Sequence, residues 1–318
     1  MIFIVFPAEH HPCTPFPSMN LWYNTRLVHW SRRLSLHSHI LLGIFTLAAC
    51  AAGGVVDPFY VNFNPSWRTA YQSRSRIIED RPMFMTMTRA GFDSRDYGNF
   101  GKMGFWNWDV SSLSGRRDMY HRRPLNEMDY GFYWTYSWDF GQYSDDWKGW
   151  GLTTDFIKDW ITLEGYTHPY RESKTNASIN EWRLEQSLTN PYVTPFYLLR
   201  RSSHPTEWFY ARTGVRRKFA LTDTIAFTPE FFGENGNDYL FTRRYGVKPN
   251  GGHYHGGLMT LNLILELSWK ISDEMTVYAN VHQFDVTNDD ARERIKARKT
   301  PGARRDLTIG TVGLRFRF

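Results

Sequence analysis

The chain has only two cysteines in 318 residues, Cys13 and Cys50, and no run of about twenty apolar residues. A helix that spans a bilayer needs such a run. The only comparable stretch, Ile40 to Ala52, is too short and lies near the N-terminus, so a helical membrane protein is excluded. No long stretch repeats at 3.6 residues, which argues against a helical architecture. No glycine-rich phosphate loop, dinucleotide fingerprint or carboxylate pair at glycosidase-like spacing stands out, and no cofactor is implied. Aromatic residues, by contrast, are abundant: 13 Trp, 18 Tyr and 23 Phe make up 17% of the chain. Disordered chains are poor in such rings, so disorder is excluded as well.

Arg26, His29, Arg32 and Arg33 precede the apolar stretch Ile40 to Ala49, and small residues follow it. That is the layout of a secretory signal peptide, and it makes 1–51 an N-terminal extension with a signal, Met19 being a better start than Met1. Two cleavage patterns overlap. Ala49-Cys50-Ala51 fits a small-x-small site, and Leu47-Ala48-Ala49-Cys50 resembles a lipobox, which makes Cys50 a candidate for lipidation. Both cysteines fall at or before this region, so disulfides and cysteine catalysis drop out of the exported part. Residues 52–65 read as a short periplasmic lead-in, and 66–318 as one domain.

From Ser66 onward the dominant period is two, the period of a strand. Leu261, Leu263, Leu265, Leu267 and Trp269 alternate with Thr260, Asn262, Glu266 and Ser268, with Ile264 as the exception. Met128 to Phe140 alternates over about 13 residues, longer than the five or six usual in soluble strands. A tilted membrane strand needs about 9–11 residues, apolar outward and polar inward. Counting back from Phe318 gives about twelve strands, near 305–318, 273–286, 256–271, 222–233, 207–220, 192–201, 180–189, 151–167, 126–141, 97–110, 82–92 and 66–77. Their connections alternate between short turns (Ile271-Ser272-Asp273, Leu221, Asn190-Pro191) and long loops near 287–304, 234–255, 168–179 and 111–125. Exceptions are 142–150, long for a turn, and 78–81 and 202–206, short for loops. Hydrocarbon leaves no unpaired backbone group satisfied, so such a sheet must close. The expected fold is all-β: a transmembrane antiparallel up-and-down β-barrel in the bacterial outer membrane. Trp67, Tyr130, Trp160, Trp182, Trp208 and Trp269 are candidates for its aromatic girdles.

Thr69 to Ile78, followed by Asp80 and Pro82, resembles the first hairpin of the TorF-type porins of Gram-negative bacteria, although Ser75 stands where glycine is usual there. The ending Gly313-Leu314-Arg315-Phe316-Arg317-Phe318 is similar to the C-terminal signal read by barrel-assembly machinery. The resemblance implies a role for Leu314, Phe316 and Phe318 in assembly, and that machinery as a partner.

The faces opposite the apolar ones define an interior carrying Arg68, Arg74, Arg76, Arg183, Glu185, Arg212, Arg216, Lys218, Glu266, Lys270, His282, Arg315 and Arg317. Basic groups outnumber acidic ones, and Arg68, Lys218, Lys270, Arg315 and Arg317 are expected in a collar near the periplasmic end. Rings of Arg or Lys favour anions, so the reading is a porin-like channel for small hydrophilic solutes with weak anion preference. A competing account pairs these cations with Glu185, Glu266, Asp129 and Asp139 as a filled plug. The alternative functions are a barrel enzyme acting on lipid or lipopolysaccharide, with His282 as its candidate catalytic residue, and a structural or adhesive barrel. His253 and His255 offer two metal ligands where zinc needs three or four, so no metal site is assigned. The basic loops Arg116-Arg117, Arg122-Arg123 and 292–305 suit the phosphates of lipopolysaccharide, and no nucleic-acid partner is assigned.

Overall fold

Alternation of side chains builds a single closed sheet. The computed structural model describes residues 58–73, 76–79, 81–113, 121–166, 177–204, 208–245, 250–297 and 305–318. The expected signal segment 1–51, Cys50 and Arg74 lie outside the described residues. The strands are β1 (Phe59–Arg68), β2 (Tyr71–Ser73), β3 (Arg76–Glu79), β4 (Met83–Asp93), β5 (Lys102–Ser112), β6 (His121–Asp139), β7 (Gly151–Tyr166) and β8 (Ala177–Thr189). They continue with β9 (Thr194–His204), β10 (Phe209–Arg216), β11 (Phe219–Ala220), β12 (Ile225–Gly236), β13 (Gly257–Lys270), β14 (Met275–Val286) and β15 (Asp306–Arg317). Two helices, α1 (Asp238–Tyr245) and α2 (Asp289–Ala297), lie in the connections that follow β12 and β14.

Each wall strand pairs antiparallel with its neighbours in sequence; β1 pairs with β15, and β10 with β12. β11 continues β10 past a break at 217–218, so the closed wall has twelve strands. Closure leaves no sheet edge to be satisfied by solvent. The wall begins at Phe59 rather than Ser66, so the end of the expected lead-in is strand. The segment expected as one strand over 66–77 is divided. β1 stops at Arg68, and β2 and β3 form a separate two-stranded hairpin that is not part of the wall sheet. The first connection therefore runs from Thr69 to Pro82 and is long, which removes the exception expected at 78–81.

β1 begins beside the end of β15, where the Val61 amide donates to the Phe318 carbonyl. At this Phe318 rim the connections are 94–101, 140–150, 190–193, 221–224 and 271–274; at the opposite rim they include 69–82, 237–256 and 287–305. The two faces separate cleanly. On β13, Leu263, Leu265, Leu267 and Trp269 are exposed, while Thr260 and Asn262 are buried. Phe105 on β5, Val281 on β14 and Val312 on β15 are exposed on the same outer face, at 63%, 48% and 55%; in water so much bare apolar surface would be costly.

Because the sheet is one layer, buried side chains lie inside the barrel. In the half near the opposite rim, Ile161, Ile179, Leu198, Tyr210, Met259 and Phe284 from the wall pack with Leu240 and Phe241 of α1, Tyr254, and Ala291 of α2. Trp208 belongs to this cluster and is 3% exposed, so it is an interior residue rather than part of a girdle. Trp67, Tyr130, Trp182 and Trp269 are exposed outward as expected. Tyr71 of the hairpin packs against Met83, Met85, Val110 and Trp108, which seats β2 inside the wall. No helix among the described residues is long and apolar enough to cross a membrane, which says nothing about crossing by strands.

Candidate functional site: the barrel interior

Strand parity sends many of the polar residues inward, where some meet partners from strands that are distant in sequence. Arg315 on β15 and Glu266 on β13 form two hydrogen bonds, Nη1–Oε1 at 2.9 Å and Nη2–Oε2 at 2.8 Å. The Arg315 guanidinium also lies over the Tyr278 ring, 4.1 Å from its centroid. That ring covers Gly313, where a Cβ would meet it at 2.6 Å, and the Tyr278 hydroxyl donates to Asn64 Oδ1 at 3.0 Å. A glycine at this point lets one aromatic ring span three strands.

Further along the wall, Arg183 pairs with Glu185 at 3.0 Å, and Arg216 approaches the same carboxylate at 3.9 Å. Arg200 pairs with the buried Glu181 at 3.1 Å, and Arg89 on β4 reaches Asp155 on β7 at 2.9 Å. β5 and β6 separate those last two strands, so the Arg89–Asp155 pair passes through the interior rather than along the wall. The expected pairing of Glu185 and Glu266 with cations is thus present. Asp139 instead caps a turn at the Phe318 rim by accepting from the Gly141 amide.

Glu234, fully buried on β12, gathers partners from several elements. It accepts from Tyr210 at 2.5 Å, from Thr260 at 2.7 Å and from Gln72 of the hairpin at 3.0 Å, and it lies 3.8 Å from Arg212. The Gln72 contact ties the first connection to a strand it does not neighbour. An ion buried this way is costly unless its lone pairs are filled, and here they are. Glu234, Arg89, Asp155, Arg200 and Glu181 were not among the expected interior residues. For Glu234 the signal was present: continuing the parity of Glu230 and Phe232 past Gly233 would have found it.

The expected collar is divided. Lys218 and Lys270 sit near the turns of the Phe318 rim, and Arg315 and Arg317 are at the end of β15. Arg68 pairs in register with Met83 and Thr311 at the other end of β1, whereas Arg317 pairs with Asn62, so Arg68 belongs to the opposite half. Arg76 lies on the hairpin strand β3 and not in the wall; its side chain is outside the described residues. Lys270 meets Asp273 at 2.5 Å in the turn. That ammonium holds the exposed Asp273 carboxyl below the usual carboxylate range. Arg217 turns outward and stacks on Phe219, 4.9 Å from its centroid, the rim position that lets a long cation reach an interface.

His282 faces inward and is buried, with Nε2 2.9 Å from Asn262 Oδ1 and its ring against Phe232. Among the described residues its hydrogen-bond partner is Asn262. His253 and His255 are exposed on either side of the buried Tyr254, and the described residues contain no group of three metal-ligating side chains. At the chain's end Phe316 stacks on Phe63 and on Phe318, while Leu314 is half-buried.

No family model matches the chain, and no curated protein resembles it in sequence. Among solved structures, the translocator domain of autotransporter NalP from Neisseria meningitidis is similar over 90% of this chain and 98% of its own, at 11% identity and a TM-score of 0.40. The KdgM porin matches over 81% of this chain and 99% of its own, at 9% identity and TM-score 0.40. The NanC porin matches over 80% and 98%, at 10% identity and TM-score 0.40.

Proposed function

We propose that the chain is an outer-membrane barrel acting as a passive channel for small hydrophilic solutes, with a weak preference for anions. The observation that carries this reading is the inverted distribution of polarity. Leucine, valine and aromatic side chains are bare on the outside of a closed sheet, and ion pairs line the inside. A barrel in water would have these faces reversed, whereas a bilayer covers the outer one. Lipid and lipopolysaccharide are then its surroundings. Short turns at one rim and long connections at the other make the Phe318 rim the periplasmic one, by the asymmetry usual in such barrels. Assembly machinery reading Leu314, Phe316 and Phe318 belongs to the same proposal.

Lys218 and Arg317 supply the anion preference at the Phe318 rim. Among the described residues neither meets a carboxylate, while the deeper arginines are mostly neutralised, so the preference is weak. The packed half near the opposite rim makes the hairpin and the two helices the natural gate. Planar-bilayer recording tests the channel: reproducible single-channel steps are expected from the purified, heat-modifiable barrel, and a correctly folded but silent barrel overturns it. In a salt gradient the reversal potential should have the anion-selective sign.

A further inference from the structure

We propose that Lys158 and Arg201, standing on either side of Trp182 on the outer face of the wall, form a docking site for a phosphate group of lipopolysaccharide. The proposal deepens the outer-membrane part of the reading above, rests on it, and does not depend on conduction. Strand pairing puts the residues in one row. Phe132 on β6 pairs with Lys158 on β7, Lys158 with Trp182 on β8, Trp182 with Arg201 on β9, and Arg201 with Phe209 on β10. Alternation sends this row outward. Ile157 and Asp159 beside Lys158, Glu181 before Trp182 and Ser202 after Arg201 are buried, while Phe132, Trp182, Arg201 and Phe209 are exposed. Two cations therefore alternate with three aromatic rings on the face that meets lipid. The Cα atoms of the two cations stand about 10 Å apart, the width of two strand spacings.

Neither cation forms an ion pair among the described residues. Lys158 Nζ lies 4.4 Å from the centroid of the Trp182 ring and 5.5 Å from that of Trp160, and it donates a long hydrogen bond of 3.5 Å to the Glu181 carbonyl. The Glu181 carboxylate is on the other face of the wall, paired with Arg200 at 3.1 Å. A lysine or arginine on a lipid face costs most at the bilayer midplane and least at the headgroups. Lys158 is seven residues past Gly151 and Arg201 seven past Thr194, the first residues of their strands at the Phe318 rim. At about 3.3 Å per residue and a tilt of about 40°, that puts both about 18 Å from this rim, in the far third of an apolar band about 25 Å tall. With the Phe318 rim periplasmic, this depth belongs to the outer leaflet, whose headgroups carry the phosphates of lipopolysaccharide. Arginine offers a phosphate two parallel hydrogen bonds and lysine a point charge, and tryptophan suits headgroup depth. A groove of about 460 Å³ lies nearer the Phe318 rim on β8 to β12, lined by Leu188, Pro195, Tyr197, Val215 and Phe231. An acyl chain descending from a phosphate held at Arg201 would run along it, which favours a lipid over a free anion.

The test uses the folded barrel in detergent and reads its thermal unfolding midpoint against lipopolysaccharide, dephosphorylated lipopolysaccharide and phosphatidylglycerol. Bound ligand stabilises a fold by mass action. Lipopolysaccharide should raise the wild-type midpoint saturably, and the other two should raise it less at equal concentration. The double variant Lys158→Gln, Arg201→Gln should need at least tenfold more lipopolysaccharide for the same rise; taking charge off a lipid face leaves the wall able to fold. Arg201→Lys, which keeps the charge and loses the fork, should fall between. Val215→Trp, which fills the groove and leaves both cations, should weaken the response as well, and a response it leaves untouched removes the groove from the site. Arg217→Gln, an outward cation at the Phe318 rim, should change nothing. A response equal in wild type and the double variant, or undiminished by dephosphorylation, overturns the site, and one matched by phosphatidylglycerol overturns lipopolysaccharide as its occupant. Quenching of a single-tryptophan barrel retaining Trp269 by brominated phospholipid separates this proposal from the reading beneath it. A quenched Trp269 with no lipopolysaccharide response overturns the site and keeps the outer face in lipid, and an unquenched one overturns the membrane reading itself.

Discussion

Arg315 and Glu266 face each other across β14, joined by two hydrogen bonds of 2.9 and 2.8 Å, with the guanidinium lying flat on Tyr278. The pair is bidentate and Glu266 is only 17% exposed, but Arg315 remains 43% exposed, so its contribution to stability is that of a well-formed surface pair, about 0.5–1 kcal/mol. In the proposed channel its effect on permeation is larger in kind. While Glu266 is ionised it cancels the charge of Arg315 toward a passing ion.

Glu266→Gln should therefore leave urea unfolding nearly unchanged and move the reversal potential toward stronger anion selectivity. Arg315→Gln should move it the opposite way. A shift of the same sign in both variants would mean that the pair does not face the permeation path.

Gln72 makes the second prediction. Its amide is the hydrogen bond that ties the first connection to Glu234 at 3.0 Å, while Tyr71 beside it is packed against the wall. Gln72→Ala should cost about 1 kcal/mol and leave the wall intact, since the remaining acceptor positions of Glu234 are still filled. Freed at one end, the hairpin should move more, and single-channel records should show more frequent transitions or a higher open level. Unchanged records from a folded Gln72→Ala barrel would remove the hairpin from the gate. Glu234→Ala is the harsher comparison: it leaves Arg212 without its carboxylate, and a loss of about 3–5 kcal/mol is expected.

The wall from β5 to β15 was readable in the sequence because its outer face is mostly apolar, and the parity of Leu263, Leu265 and Leu267 admits one assignment. The interior near the opposite rim was not. There some inward residues, Met83, Met85, Ile161 and Phe284, are as apolar as the outer ones, so alternation carries no sign at those positions. Trp208 was read as a girdle residue for the same reason. The hairpin was missed because a period of two over 66–77 is the same whether the strand joins the wall or turns inward, and this misplaced Arg76. The Arg89–Asp155 pair joins residues 66 positions apart, and no local spacing announces it. Arg68 was placed on the correct face and at the wrong end, an error of strand boundary rather than of chemistry.

Asp273 gives a titration whose sign is fixed. It lies in the 271–274 turn, outside the wall, and hydrogen bonding to the Lys270 ammonium lowers its pKa. For a carboxyl with a depressed folded pKa, the attraction is fully present above the unfolded value, about 3.9, and is lost as pH falls through the lower folded value. Nothing should change at this turn between pH 5 and 8. Carboxyl-resolved NMR should find the Asp273 midpoint below the ordinary aspartate value, and Lys270→Met should raise it toward that value. A midpoint unmoved by Lys270→Met would break the assignment.

The tryptophans test which face meets lipid. Trp67, Trp182 and Trp269 are 49%, 43% and 54% exposed on the outer face, whereas Trp208 is 3% exposed within the apolar cluster of the interior. Single-tryptophan barrels reconstituted with brominated phospholipid should show strong quenching for the first three, at depths set by their distance from the rims, and little for Trp208. Trp208→Ala should cost about 3–5 kcal/mol through the cavity it leaves, because α1, Tyr254 and the wall all close on that cluster. Trp269→Ala removes a side chain that packs on no such cluster, so its effect should be confined to membrane insertion and leave urea unfolding of the inserted barrel nearly unchanged. Equal quenching of Trp208 and Trp269 would place lipid or detergent on both faces and exclude the closed wall. Quenching of Trp208 alone would turn the barrel inside out, and with it every assignment of charge to the interior.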